Sequence, residues 1–154
     1  MKDEIKINDN ITSARQPTEE EIRKLPQKGF KSVINLRTAG EEDQPLSPKA
    51  EEELVRKAGM EYTNIPISTK EVPKPEQIEL VRKALDCMAK PIYVHCHRGK
   101  RSGALTMIDQ ALKRGMTGEE ALQKAQSMGF ECDVPHLKDF FVNYINQHTT
   151  AGKA

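Results

Sequence analysis

The stretch Ile92-Tyr93-Val94-His95-Cys96-His97-Arg98-Gly99-Lys100-Arg101-Ser102-Gly103 joins an apolar run to a segment of helical periodicity, and this junction constrains the fold more than any other part of the chain. The short run bounded by turn signals reads as a buried strand, while Ala104, Leu105, Ile108 and Leu112 recur on one helix face. A cysteine at such a handover faces the unpaired N–H groups and the positive end of the helix that follows. Those groups favour a thiolate and a bound anion. Arg101 lies five positions after Cys96, with Gly99 between them to let the backbone curl, so a planar guanidinium can close an anion cradle from one side.

Strand and helix signals alternate along the rest of the chain. Strand-like runs occur at residues 32–36, 62–67 and 92–95, with a shorter one around 11–14. Thr18 with Glu21 and Thr117 with Glu120 have capping-box spacing, and Ser47-Pro48 supplies an N-cap followed by proline. Gly29, Gly59, Gly115 and Gly129 each precede an apolar residue and read as helix stops. Ile78, Val81, Leu85 and Met88 predict a helix over 75–88, and the C-terminal third reads as two helices with Leu137, Phe140, Phe141, Tyr144 and Ile145 on the second. The expected fold is α/β, a central mostly parallel sheet of four to five strands flanked by helices, with ligands at the carboxyl ends of the strands. A single domain over residues 1–148 with a frayed tail at 149–154 is expected.

Composition removes several classes of function. The 154 residues suffice for one core, burying roughly 70% of the unfolded surface. With 24 basic against 23 acidic residues the net charge is +1, so neither nucleic acid nor a membrane is an expected partner. Cysteines at 87, 96 and 132 form no zinc or disulfide spacing and read as reduced thiols in a cytoplasmic protein. The charged start has no signal-peptide pattern. Cys87 and Cys132 read as structural. Adjacent side chains of His95, Cys96 and His97 point to opposite sides of an extended chain, so no metal and no other cofactor is expected. Arg98 and Lys100 line the mouth of the cradle or are solvated charges. Arg37 is expected to pair with Glu41 or Glu42, and His136 and His148 to be surface residues.

The loop from His95 to Gly103, after Ile92-Tyr93-Val94, resembles the signature loop of the cysteine-based tyrosine and dual-specificity phosphatases. Ser13-Ala14-Arg15-Gln16-Pro17-Thr18, Val33-Ile34-Asn35-Leu36-Arg37 and Asn64-Ile65-Pro66-Ile67 are similar to a small bacterial branch, whose members are called beta-lactamase-hydrolase-like phosphatases or sulfur transferases. The resemblance implies a phosphoric monoester hydrolase in which Cys96 is the nucleophile and forms a thiophosphate intermediate. It further implies that Arg101 and the backbone N–H groups of His97, Arg98, Gly99, Lys100 and Ser102 bind phosphate. Ser102 would assist departure of the thiolate, and His95 would order the loop.

Two features differ from the phosphatase pattern. Cys96 and Arg101 enclose four residues where that pattern encloses five, a tighter cradle that also resembles rhodanese-type sulfurtransferases holding a persulfide. The loop at 68–75, where the dual-specificity enzymes carry an acidic aspartate, has none, and Glu71 is the carboxylate available as general acid. Three readings stay open: a phosphatase acting on a phosphorylated protein or small molecule, a sulfurtransferase fed by a sulfur donor, or a non-catalytic anion-binding protein. The oligomeric state is not legible in the sequence.

Overall fold

The computed structural model describes residues 2–150. Five strands form one sheet: β1 (Glu4–Asn8), β2 (Ile11–Ala14), β3 (Ser32–Asn35), β4 (Glu61–Asn64) and β5 (Ile92–His95), in the order β1-β2-β5-β3-β4. Only the β1–β2 hairpin is antiparallel; the β2–β5, β3–β5 and β3–β4 pairs are parallel. The expected mostly parallel sheet is present, with β1 an edge strand that the sequence pattern had not signalled.

Among the described residues six α-helices cover the sheet, with a short 3-10 turn at Leu25–Lys28: α1 (Glu19–Lys24), α2 (Pro48–Lys57), α3 (Pro75–Cys87), α4 (Lys100–Arg114), α5 (Gly118–Met128) and α6 (Pro135–His148). Their starts follow from local chemistry. Thr18 accepts from the Glu21 N–H at 3.1 Å while Glu21 accepts from the Thr18 N–H at 2.9 Å, and Thr117 and Glu120 repeat the arrangement. Ser47 caps α2 ahead of Pro48. Thr149, expected at the start of a frayed tail, is instead 2% exposed. Its N–H donates to Ile145 O at 2.8 Å and its hydroxyl to Met116 O, so helix closure ties it down. Residues 151–154 of that tail lie outside the described residues.

The alternation of strand side chains divides the core in two. Ile34, Ile92, Val94 and Cys96 pack with α3, α4 and α6, whereas Val33, Tyr62 and Tyr93 pack with Ile22 of α1, Leu25 and Val55 of α2. The same parity sends His95 and Asn35 toward α2. α4 lies at the centre of its layer, buried nearly all round. In register, Ala14, Asn35 and His95 lie side by side at the carboxyl ends of β2, β3 and β5. The loops leaving those strands converge there.

Candidate active site

Cys96 follows the central strand β5 and is 1% exposed. Its sulfur accepts from the Gly99 N–H at 3.1 Å and the Ser102 N–H at 3.4 Å, both at the start of α4. Gly99 makes the turn possible with φ of 86°, a left-handed backbone conformation in which any side chain would be strained. The Ser102 hydroxyl sits 3.6 Å from the sulfur and 2.8 Å from the Ser13 hydroxyl. The hydroxyl also faces the Ala14 and Gly99 carbonyls at 3.3 Å each, so its single proton goes to one of these, and the Cys96 thiol donates to the Ser102 oxygen. Cys96 thus lies beneath the N-terminus of α4.

Arg101 is the second residue of α4 and 6% exposed. Its Nη1 and Nη2 donate in parallel to Glu41 Oε2 at 2.8 Å and Oε1 at 2.9 Å, and Nη1 also donates to Ile67 O at 2.8 Å. Of the five guanidinium hydrogens, this leaves the Nε–H and one Nη2–H, which share one edge. A fork of that kind matches two oxygens of one anion. Burial acts to lower the Arg101 pKa, but the Glu41 hydrogen bonds and the nearby Cys96 sulfur outweigh it and the pKa is raised. Burial acts against the Glu41 charge too, yet Arg101, the Thr38 N–H and Arg37 hold its carboxyl down at about 2.

Behind these groups runs a buried polar chain. Arg37, wholly buried, donates from Nε to Glu41 at 3.0 Å, from Nη1 to Gln16 Oε1 at 2.9 Å and from Nη2 to the Glu42 carbonyl. The expected pairing with Glu41 is therefore made, and that with Glu42 goes through its backbone. Gln16 in turn donates to Glu51 at 3.0 Å, and Glu51 meets His95 Nε2 at 2.7 Å. The Nδ1 of His95 faces the Cys96 carbonyl at 3.3 Å, so its ring lies against the start of the loop. Burial opposes the Glu51 charge, but His95 and Gln16 overcome it and the carboxyl is lowered.

A cleft of 240 Å³ opens above Cys96 and Arg101. Glu71 lines it, as do His97, Arg98, Thr69 and His136. His97 is half-buried with Asp43 at 3.8 Å, and burial together with Arg37 and Arg98 lowers its pKa. Arg98 is exposed at the mouth. Lys100 lines the cleft, but its ammonium is drawn aside to Asp133 at 2.9 Å and Glu131 at 3.8 Å, so its contribution to an anion is its backbone. Cys87 is exposed and Cys132 half-buried, both apart from this cleft. Sequence reasoning missed Glu51, Gln16 and the placing of His136 on the cleft, and it assigned Glu41 no part in holding Arg101.

A buried thiol on the loop between the central strand and the following helix, beside an arginine fork, defines the fold as cysteine-phosphatase-like. The family model described as PTP-NADK, DSP-PTPase phosphatase fused to NAD+ kinase, matches residues 3–140, and the chain belongs to that family. It is 28% identical over 149 residues to the beta-lactamase hydrolase-like protein of Agrobacterium fabrum strain C58, covering 89% of this chain and 34% of that one. The chain thus spans about a third of the length of the curated relatives it matches. Among solved structures, a DUF442 protein of Shewanella putrefaciens CN-32 superposes with a TM-score of 0.77 at 25% identity, covering 96% of this chain and 90% of that one. P. aeruginosa TpbA in complex with pTyr superposes with a TM-score of 0.71 at 14% identity, covering 94% and 88%. No helix among the described residues is long and apolar enough to cross a membrane.

Proposed function

We propose that the protein hydrolyses phosphate monoesters through a thiophosphate intermediate on Cys96. The observation that carries this reading is the convergence of the Gly99 and Ser102 N–H groups on one buried sulfur, with the open fork of Arg101 beside it. The Cys96 sulfur attacks phosphorus, the ester P–O bond breaks, and its electron pair leaves on the substrate oxygen. Arg101 binds two phosphoryl oxygens through its free edge, and the backbone of residues 97–102 supplies further donors. In this reading Glu71, one of two glutamates lining the cleft, protonates the departing oxygen. Ser102 then gives its hydroxyl hydrogen bond to the sulfur as the thiolate is released. The substrate is a phosphorylated protein or small molecule of the cytoplasm, and similarity to TpbA, solved with phosphotyrosine, agrees with such a ligand.

The test is release of the alcohol from an aryl phosphate, its inhibition by vanadate and its loss in Cys96→Ser. Equal rates for the wild type and the variant would overturn the reading. The four-residue span from Cys96 to Arg101 also suits a persulfide sulfur in the cradle. Transfer of sulfur from thiosulfate to cyanide, absent in Cys96→Ser, would favour that second reading.

A further inference from the structure

His136 stands on the rim of the cleft whose floor is Cys96. The sulfur is 1% exposed, whereas His136 is exposed and lines the same 240 Å³ space. That space is well above what one water needs, leaving room for a phosphoryl group on the sulfur with water above it. Phosphoryl transfer proceeds in line, so the water that cleaves a thiophosphate enters from the side opposite the sulfur. Cys96 is the buried end of this cleft, and water reaches it from the solvent side, where the exposed lining residues lie.

Glu42, Glu71, His97 and His136 are the titratable groups lining the cleft besides the Cys96 thiol and the cations Arg98, Lys100 and Arg101. The His97 ring belongs to the loop itself and lies toward Asp43. Glu42 is anchored through its carbonyl to Arg37. Glu71 sits in irregular backbone, while His136 lies in the first turn of the fourteen-residue α6, fixed by Pro135 at its first position. A rigid element places a catalytic group better than a loop does. Among the described residues the His136 ring makes no hydrogen bond or ion pair within the protein, so its nitrogens are open to water.

We infer that His136 is the general base for the second half of the reaction, an inference that rests on the hydrolytic reading of Cys96. The ring nitrogen accepts a proton from the incoming water as its oxygen bonds to phosphorus. The S–P bond breaks with its electron pair returning to Cys96, whose thiolate the Gly99 and Ser102 donors receive. Inorganic phosphate departs, and the imidazolium returns its proton to solvent.

The experiment is rapid-mixing hydrolysis of an aryl phosphate by wild type, His136→Gln and Glu71→Gln. His136→Gln is expected to release one equivalent of aryl alcohol at the wild-type rate and then to turn over about 10²-fold more slowly. Its Cys96 peptide should carry a phosphoryl group detectable by mass, and added imidazole should restore turnover. A His136→Gln variant without burst or trapped intermediate, or a Glu71→Gln variant that shows both instead, overturns the assignment to His136 and leaves Cys96 chemistry standing. If wild type and Cys96→Ser release alcohol equally, the hydrolytic reading falls and takes this inference with it.

Discussion

Glu41 and Arg101 meet through two parallel hydrogen bonds of 2.8 and 2.9 Å, so a carboxylate occupies the end-on edge of the guanidinium. This contact turns the other edge toward Cys96. Glu41 also accepts from Arg37 and from the Thr38 N–H at 2.8 Å, and so it is fixed independently of Arg101. It acts as a strut that holds one edge of the guanidinium and leaves the Nε edge clear of it.

Glu41→Gln keeps the shape of the strut but replaces one acceptor oxygen by a donor amide, which would face a guanidinium donor. The fork is then no longer held, and misplacement by about 1 Å costs on the order of 10²-fold in rate. The expected outcome is a fall of about that size in kcat/KM for an aryl phosphate. Unchanged kinetics would show that Arg101 needs no support from Glu41.

The same pair sets a response to acid. The folded carboxyl titrates at about 2, below the ordinary 4.5, so Glu41 binds its proton more readily in the unfolded chain. Its contribution to stability is complete above the ordinary value and is lost as pH falls from there through about 2. The difference in urea midpoint between wild type and Glu41→Gln should be largest at about pH 6 and shrink toward about pH 3. The chain has no tryptophan, so far-ultraviolet circular dichroism is the suitable probe.

Removing one partner of the His95–Glu51 pair is a test of the loop's foundation. Both side chains are 0% exposed and 2.7 Å apart. Glu51→Ala leaves His95 and Gln16 without their shared acceptor, and breaking a buried pair costs about 3–5 kcal/mol. Glu51→Gln, which still offers a carbonyl oxygen, should lose less. Equal losses in the two variants, measured by urea unfolding, would mean that packing rather than the charge is what matters there.

The strands and helix starts were legible because each depends on neighbouring residues: the capping pairs at Thr18 and Thr117, the apolar run before Cys96, the glycines after the helices. The polar chain beneath the site was not, because Arg37, Gln16, Glu51 and His95 come from four separate segments that only the tertiary fold brings together. One signal was present. The buried side of α2 reads Pro48, Glu51, Val55, a carboxylate on the apolar stripe, and a buried carboxylate needs a partner. β1 carries too weak an alternation to be distinguished from a polar start. His136 looked like a surface residue and is one, but only the packing of α6 against the α4 layer places that surface on the cleft.

The packing of α5 on α6 offers a sharp test of the fold's C-terminal half. At Gly118 an added Cβ would lie 2.8 Å from the Cα and carbonyl carbon of Val142, and closer still to its carbonyl oxygen. All of these are backbone atoms of α6, which cannot turn aside as a side chain can. Gly118→Ala therefore has to separate the two helices, and overpacking of this kind costs about 1–3 kcal/mol or more. At Gly103 the added Cβ would meet the Phe130 ring at 2.7 Å, and a ring can rotate away. The expected order of urea midpoints is wild type above Gly103→Ala, with Gly118→Ala lowest. A Gly118→Ala protein as stable as the wild type would show that α5 and α6 sit farther apart than their backbones do here.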